Sequence, residues 1–330
     1  MSAMGGSGAR RDEDGSGGGQ GLGDGQGRGD GRLLVAVDVD GTLLDTEFDE
    51  VLRPREIAAL EAVRSAGHVL ALCTGRNLNS TGSLLARSGW SPPDLPLILL
   101  NGAVVWADAP RRRIACHVLP GDDVRALVRL FREHGTVPMV YGTDDEGGLL
   151  RHEERPVNDV LGRYLAGRRA NTGGLEVVDD LLAVPWEQAL EVGTIDERPR
   201  IEALTRAIGA ALPGRVKVIN TRSLLGDGVY YWAEAFHAAS DKGAGLRTLA
   251  GFCGIARERT VAIGDNYNDL DMFAWAGTSV AMAGSPADVA ERADYVTGAV
   301  AQGGAADVLE RIAAGGFPPP GAGANDRGRT

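Results

Sequence analysis

Two aspartates one residue apart, Asp38 and Asp40, close the stretch VAVDVDGT, where an apolar run gives way to acids. Like charges at the end of a buried strand repel each other and resist burial, so the pair implies a partner that offsets them. Three more polar groups follow similar apolar runs: TGR at Thr74 to Arg76, NGA at Asn101 to Ala103, and GDNYND at Gly264 to Asp269. If those runs are strands of one open parallel sheet, their carboxyl ends share a rim where ligands gather. Asp38, Asp40, Asp265 and Asp269 then converge, and carboxylates so close together need a cation among them. Oxygen donors without Cys or His favour Mg2+ over zinc or copper. A bound metal ion makes sense of the pair.

The elements that must position these residues read as alternating strands and helices. LLVAV (Leu33 to Val37), VLALC (Val69 to Cys73), LILL (Leu97 to Leu100), TVAI (Thr260 to Ile263) and SVAM (Ser279 to Met282) are continuous apolar runs. Strands covered on both faces look like this, and they belong in a parallel sheet. Pro54 opens a helix with Ile57, Leu60 and Val63 on one side, ending at Gly67, which makes a strand-helix-strand unit. Right-handed crossovers turn such units into a doubly wound, Rossmann-like α/β sheet. Asp122 to His134 carries Val124, Leu127, Val128 and Phe131 at helical spacing, and strand and helix candidates continue to about Phe236. This reads as a second α/β unit inserted into the first. The expected division is a core of 33–106 and 237–314, an insert of 107–236, and two tails, 1–32 and 315–330. The tails are rich in Gly and poor in apolar side chains, so they cannot repay the entropy of ordering, and Pro318 to Pro320 stop any preceding helix.

Composition removes several function classes. The 330 residues are 43% hydrophobic and 24% charged, a globular balance with enough core for one large or two modest domains. A net charge of -11 presents a polyanion with an unfavourable field, so nucleic acid is not an expected partner. Cys73, Cys116 and Cys253 lie far apart and suggest neither a disulfide framework nor a zinc knuckle. No run approaches the ~18 apolar residues of a membrane span, and the N-terminus lacks the apolar core of a signal peptide. The expectation is a cytoplasmic protein without a membrane partner, and nothing in the composition sets its oligomeric state. A dinucleotide fold would put GxGxxG after the first strand, where acids stand instead. An EF-hand would need Gly at Leu270 and Glu at the twelfth loop position, and has neither. The five histidines show no metal-like spacing, and Cys73 reads as a small core residue.

With DVDGTL, CTGR, Lys242 in SDKGAG and AIGDNYNDLDM in that order, the chain resembles the haloacid dehalogenase superfamily of phosphotransferases. About thirty residues lie between the first two motifs and about 165 between Arg76 and Lys242, which places the large insert in the second site. That insert, NGA at Asn101 and the late VAMAGSPADVAERADYVT stretch look like the Cof-type branch with a C2 cap. The branch usually shows Gly-Asn-Ala after the late Met, where this chain has Ala283, Gly284 and Ser285.

The resemblance implies a Mg2+-dependent phosphomonoester hydrolase acting on a small phosphorylated metabolite, a sugar phosphate or a nucleotide-type cofactor. Asp38 would attack phosphorus to give an aspartyl-phosphate, and Asp40 would protonate the leaving alcohol and later activate water. Mg2+ would be held by Asp38, the backbone carbonyl of Asp40 and Asp265, with Asp269 in or just behind the ligand shell. Thr74, Gly75, Lys242 and Asn268 would cradle the transferring oxygens. Taken singly these residues have plainer readings: TGR as a strand-to-helix turn, Lys242 as a solvated surface cation, Asn101 as a turn cap. Arg76 either faces the substrate cavity or pairs with a surface acid. The arginines at Arg111 to Arg113 and in Gly167 to Arg169 read as a solvated face, or as a greeting for a phosphorylated substrate. A phosphomutase and a non-catalytic phospho-ligand sensor are the alternatives, the sensor disfavoured because binding alone needs no nucleophile and acid pair.

Overall fold

The computed structural model describes residues 31–45, 51–143, 149–171 and 174–317, and the tails expected at the two ends lie almost wholly outside them. The chain begins with β1 (Leu34–Val37), β2 (Val69–Cys73), β3 (Leu97–Leu99), β4 (Val104–Asp108) and β5 (Arg112–Cys116), with helices α1 (Pro54–Ser65) and α2 (Leu78–Arg87) between them. It then builds β6 (Leu119–Pro120), β7 (Met139–Gly142), β8 (Leu150–Glu153), β9 (Leu175–Val178), β10 (Gln188–Glu197), β11 (Val216–Arg222) and β12 (Tyr230–His237). Helices α3 (Gly121–Glu133), α4 (Asp159–Asn171) and α5 (Arg198–Ala211) accompany these strands. The return runs through α6 (Lys242–Cys253), β13 (Thr260–Gly264), α7 (Leu270–Trp275) and β14 (Thr278–Ala281). It finishes with α8 (Ala287–Ala290), β15 (Tyr295–Val296) and α9 (Gly304–Ala313).

The first sheet has the order β15-β14-β13-β1-β2-β3-β4-β5 and is parallel from β15 through β3. β1 lies inside it with both edges paired, and helices cover both of its faces. Val35 and Val37 join the cluster that takes in Leu60 and Val63 of α1 and Leu309 of α9, while Leu34 and Ala36 pack with Leu246 of α6 and Phe273 of α7. That two-sided burial, about 1.5–3 kcal/mol for each large apolar side chain, is why the run is apolar without alternation. The five expected strands are all present, and the helix expected over Asp122 to His134 is α3.

The first sheet extends beyond the expected limit at Trp106. β4 and β5 add two antiparallel strands to it, so the chain keeps to this sheet as far as Cys116 and enters the second at Leu119. The cause is the turn after β3, where Leu100, Asn101 and Gly102 take left-handed backbone with φ of 48°, 49° and 92°. This reverses the chain and lays Val104 to Trp106 back along Leu97 to Leu99. β5 becomes the edge, with Arg112 and Arg113 exposed on it, a charged device that discourages further pairing. The second sheet is ordered β11-β12-β10-β7-β8-β9, with β6 on β10. Its one face is closed by α3 and α5, whose Phe131, Leu127, Ile201 and Leu204 pack with Val140, Val192 and Ala233. Among the described residues no helix is long and apolar enough to cross a membrane.

Candidate active site

The carboxyl ends of β1 and β13 hold the acids. The Asp38 N–H donates to the Ile263 carbonyl at 2.9 Å, which ties the end of β1 to its neighbour. Beyond it the chain turns at Gly41, with φ +87°, and a Cβ there would lie 2.3 Å from the Asp265 carboxylate, so glycine alone fits. The hydroxyl of Thr42 donates to Asp265 Oδ1 at 3.2 Å. Asp269 Oδ2 accepts the backbone N–H groups of Asp265 and Asn266, at 2.8 and 3.0 Å, and so fixes the loop after β13. Lys242 opens α6 behind its cap, Asp241, and is fully buried. Its ammonium donates to Asp38 Oδ1 and to Asp269 Oδ1, both at 2.6 Å.

Asp38, Asp265 and Asp269 each offer an oxygen within 4.8 Å of the others, and all three are buried. Burial pushes the Asp38 carboxyl up to about 7, with Lys242 pulling it down and Asp269 and Asp40 pushing it further up. Burial also raises Asp265 well above the usual carboxylate range, joined by the charges of Asp38 and Asp269. Burial works against the Lys242 ammonium, but Asp269 and Asp38 outweigh it and hold the lysine charged well above its ordinary range. One ammonium among three carboxylates leaves the cluster short of positive charge. A divalent cation with a preference for oxygen fits this donor set, and Mg2+ meets both conditions.

Asp40 stands outside the cluster, although it is only two residues along. Its carboxylate turns to Arg76, which grips it with two hydrogen bonds, Nε to Oδ2 at 2.7 Å and Nη2 to Oδ1 at 2.5 Å. Of the two readings left open for Arg76, the side chain lines the cavity, and the acid it pairs with is Asp40 of the same cavity, not a surface acid. Thr74 is buried at the end of β2, and its hydroxyl accepts the Arg76 N–H at 3.1 Å. Gly75 passes beneath Asn101, whose amide would be 3.3 Å from a Cβ there. The Asn268 amide donates to Asn101 Oδ1 at 2.9 Å, and the Asn101 amide donates to Glu234 Oε2 at 3.1 Å. This chain of hydrogen bonds runs from the rim of the first sheet to β12 of the second.

Between the rim and the second sheet lies an open cavity. Asp38, Asp40, Arg76 and Asn268 line its floor, and Tyr141, Tyr164, Arg168, Glu191, Trp232 and Glu234 line the opposite wall. The solvated face expected for Gly167 to Arg169 is therefore corrected at Arg168. That residue is 7% exposed, with its guanidinium 5.5 Å from the ring centre of Tyr141, because α4 lies over the cavity. Arg169, one residue on, is exposed.

The family described as haloacid dehalogenase-like hydrolase matches residues 35–309. The chain belongs to that family, in its Cof-type branch. It is 27% identical over 306 residues to the 5-amino-6-(5-phospho-D-ribitylamino)uracil phosphatase YwtE of Bacillus subtilis, with 85% of this chain and 98% of that protein covered. It is also 27% identical over 286 residues to a phosphoglycolate phosphatase of Methanopyrus kandleri, covering 84% of this chain and 96% of the other. The structure of a haloacid dehalogenase-like hydrolase from B. subtilis superposes with a TM-score of 0.70 at 20% identity, covering 85% of this chain and 99% of that one, and so shares the fold.

In this haloacid dehalogenase-like hydrolase every site residue expected from the sequence stands at one rim, with Lys242 enclosed beneath it instead of solvated. Of the opposite wall, the sequence reading offers only the Gly167 to Arg169 stretch. The signal for the rest is a polar or aromatic residue at every second position of otherwise apolar strands, as in Trp232 and Glu234 of YYWAEAF and Glu191 of ALEVG.

Proposed function

We propose that this hydrolase is a Mg2+-dependent phosphomonoester hydrolase that works through an aspartyl-phosphate on a small phosphorylated metabolite. In this reading the first sheet is the catalytic core and the second, from about 117 to 237, is a C2-type cap. The observation that carries it is the buried cluster of Asp38, Asp265 and Asp269 with Lys242 inserted, while Asp40 faces the cavity beside it.

Lys242 holds Asp38 Oδ1, which leaves Oδ2 as the oxygen that attacks phosphorus in line. Asp38 must be ionised to do so, and its raised pKa shows that burial alone works against that state. Asp38, the backbone carbonyl of Asp40 and Asp265 would hold Mg2+, with Asp269 in support, and when bound the ion supplies the missing positive charge and polarises the phosphoryl oxygens. Asp40 gives its proton to the leaving alcohol and later takes one from the attacking water, with Arg76 setting the orientation of its carboxylate. Thr74, Asn268, Lys242 and the backbone N–H of Gly75 steady the transferring oxygens, since phosphoryl transfer rests on positioning and charge stabilisation. The names of the relatives, one acting on a ribitylaminouracil phosphate and one on phosphoglycolate, support a small phosphate ester as substrate.

The test is phosphate release from a panel of phosphorylated metabolites, with and without Mg2+, by the wild type and by Asp38→Asn. Metal-dependent turnover is expected, falling at least about a thousandfold in the variant, the scale on which loss of a catalytic nucleophile acts. Turnover that survives in Asp38→Asn would sink the mechanism.

A further inference from the structure

The wall opposite the aspartates has a composition that the hydrolysis itself does not require. On β10, Glu191 pairs across to Tyr141 of β7, and Gly193 pairs across to Glu234 of β12. Directly opposed residues point to the same side of a sheet, so Tyr141, Glu191, Gly193 and Glu234 share the face that lines the cavity. Gly193 keeps that face open: a Cβ there would come 2.7 Å from Glu191 Oε1. Tyr164 and Arg168, four residues apart on α4, complete the wall, with the Tyr164 hydroxyl 2.7 Å from that of Tyr141.

Glu191 is 2% exposed, and it lines the cavity beside Glu234. Two acids side by side in a cavity wall are costly to bury, so the pair points to donors that arrive with the ligand. Burial raises the Glu191 pKa well above the usual carboxylate range, Glu234 adds to that, and Arg168 opposes it. The arginines around the cavity do not reverse this balance. Arg76 is held by Asp40, Arg222 reaches out to the Gly284 carbonyl at 3.4 Å, and Arg87 is exposed at the mouth. Arg168 stands in the same wall, where the charge of Glu191 acts on it. A second negative charge on the substrate, beyond its phosphate, would add to the like-charge crowding that already pushes Glu191 toward its protonated form, whereas hydroxyl or amino groups would find acceptors on the pair.

We infer that Glu191, backed by Glu234, reads the alcohol side of the phosphate ester and selects a leaving group that offers O–H or N–H donors and carries no negative charge. This rests on the phosphatase reading. It also separates this chain from its phosphoglycolate-hydrolysing relative, whose named substrate leaves as a carboxylate-bearing alcohol.

The experiment compares kcat/KM of the full Mg2+-loaded chain for D-ribitol 5-phosphate and D-glucose 6-phosphate with that for 2-phosphoglycolate, with p-nitrophenyl phosphate as a generic ester. The wild type is expected to favour a polyol ester over 2-phosphoglycolate by at least about tenfold, and Glu191→Gln to narrow that ratio by about tenfold, mainly through KM for the polyol ester. The wild-type comparison needs no variant, so a misfolded Glu191→Gln does not spare the proposal. If the wild type hydrolyses 2-phosphoglycolate as well as or better than both polyol esters, the selection is overturned while the phosphatase reading stands. An unchanged ratio in folded Glu191→Gln overturns the role of Glu191. No release from any ester, p-nitrophenyl phosphate included, overturns the phosphatase reading and this inference with it.

Discussion

Asp38 and Asp265 carry a cost that shows in how stability responds to pH. The ordinary Asp value is 3.8, and in the folded chain Asp38 is pushed up to about 7, chiefly by burial. Between those values the folded chain keeps a proton that the unfolded chain has released, so stability falls as pH rises through that window. Asp265 is shifted in the same direction and adds to the fall. A cation that binds the ionised cluster competes with those protons and is worth most where they have left. Thermal unfolding with millimolar Mg2+ and with a chelator should therefore show a larger Mg2+-induced rise in Tm at pH 8 than at pH 5. Asp265→Asn should shrink the pH 8 rise, and equal rises at both pH values would refute the account. The acids were legible in the sequence because like charges at strand ends demand an explanation and the motif order supplies one. The Asp40–Arg76 pair was not, since 36 residues separate the partners and only the packed turn decides where the guanidinium points. Glu191 was less visible still, because one acid in an apolar strand reads equally well as a solvated position.

At the level of elements, the site depends on how α6 is seated. Gly102, in the turn that reverses the chain after β3, has φ +92°, and a Cβ there would lie 2.1 Å from the Asp241 carbonyl oxygen. Asp241 caps α6, accepting the Ala244 N–H at 2.6 Å, and Lys242 follows it into the cluster. Gly102→Ala must therefore move the start of the helix that presents the buried lysine. It is expected to cost more than about 2 kcal/mol of stability and to lower kcat as well. Gly67→Ala is the control: its φ is +87° but nothing lies within 4 Å of the added Cβ. Only the backbone penalty of about 1–2 kcal/mol applies there. Comparable losses of Tm and of kcat in the two variants would argue against the seating of α6 as the cause. The strands of the first sheet were readable because burial on both faces leaves an uninterrupted apolar signature. The β4–β5 hairpin was not, since its second strand, RRIAC, is an exposed edge without that signature. Its entry turn also uses left-handed Leu100 and Asn101 where a sequence signals such geometry mainly through glycine.

Across the whole molecule, polar links join the two sheets beside an apolar cluster that takes in residues of both. Lys217 on β11 donates to Asp241 at 2.7 Å and to Asp271 at 2.8 Å, both on the side of the first sheet. Asn266 and Arg222 exchange backbone-to-side-chain hydrogen bonds at 3.2 and 3.0 Å, and Asn101 reaches Glu234. The spacing of the motifs made the insertion legible, but nothing in the sequence pairs Lys217 with acids 24 and 54 residues away. Its side chain is 31% exposed and that of Asp271 43%, so solvent screens these bridges and their worth to stability is about 1 kcal/mol or less. Their larger consequence is for closure. If the second sheet moves as a cap over the rim, each link favours the closed arrangement, and removing one taxes substrate binding by the fraction of closed molecules lost. Lys217→Met is expected to raise KM severalfold with a smaller change in kcat, and to shift Tm by only a few degrees. Raising the ionic strength should raise KM in the wild type and do so less in the variant, because screening and mutation remove the same attraction. A lowered Tm with unchanged KM and an unchanged salt response would make these bridges structural only.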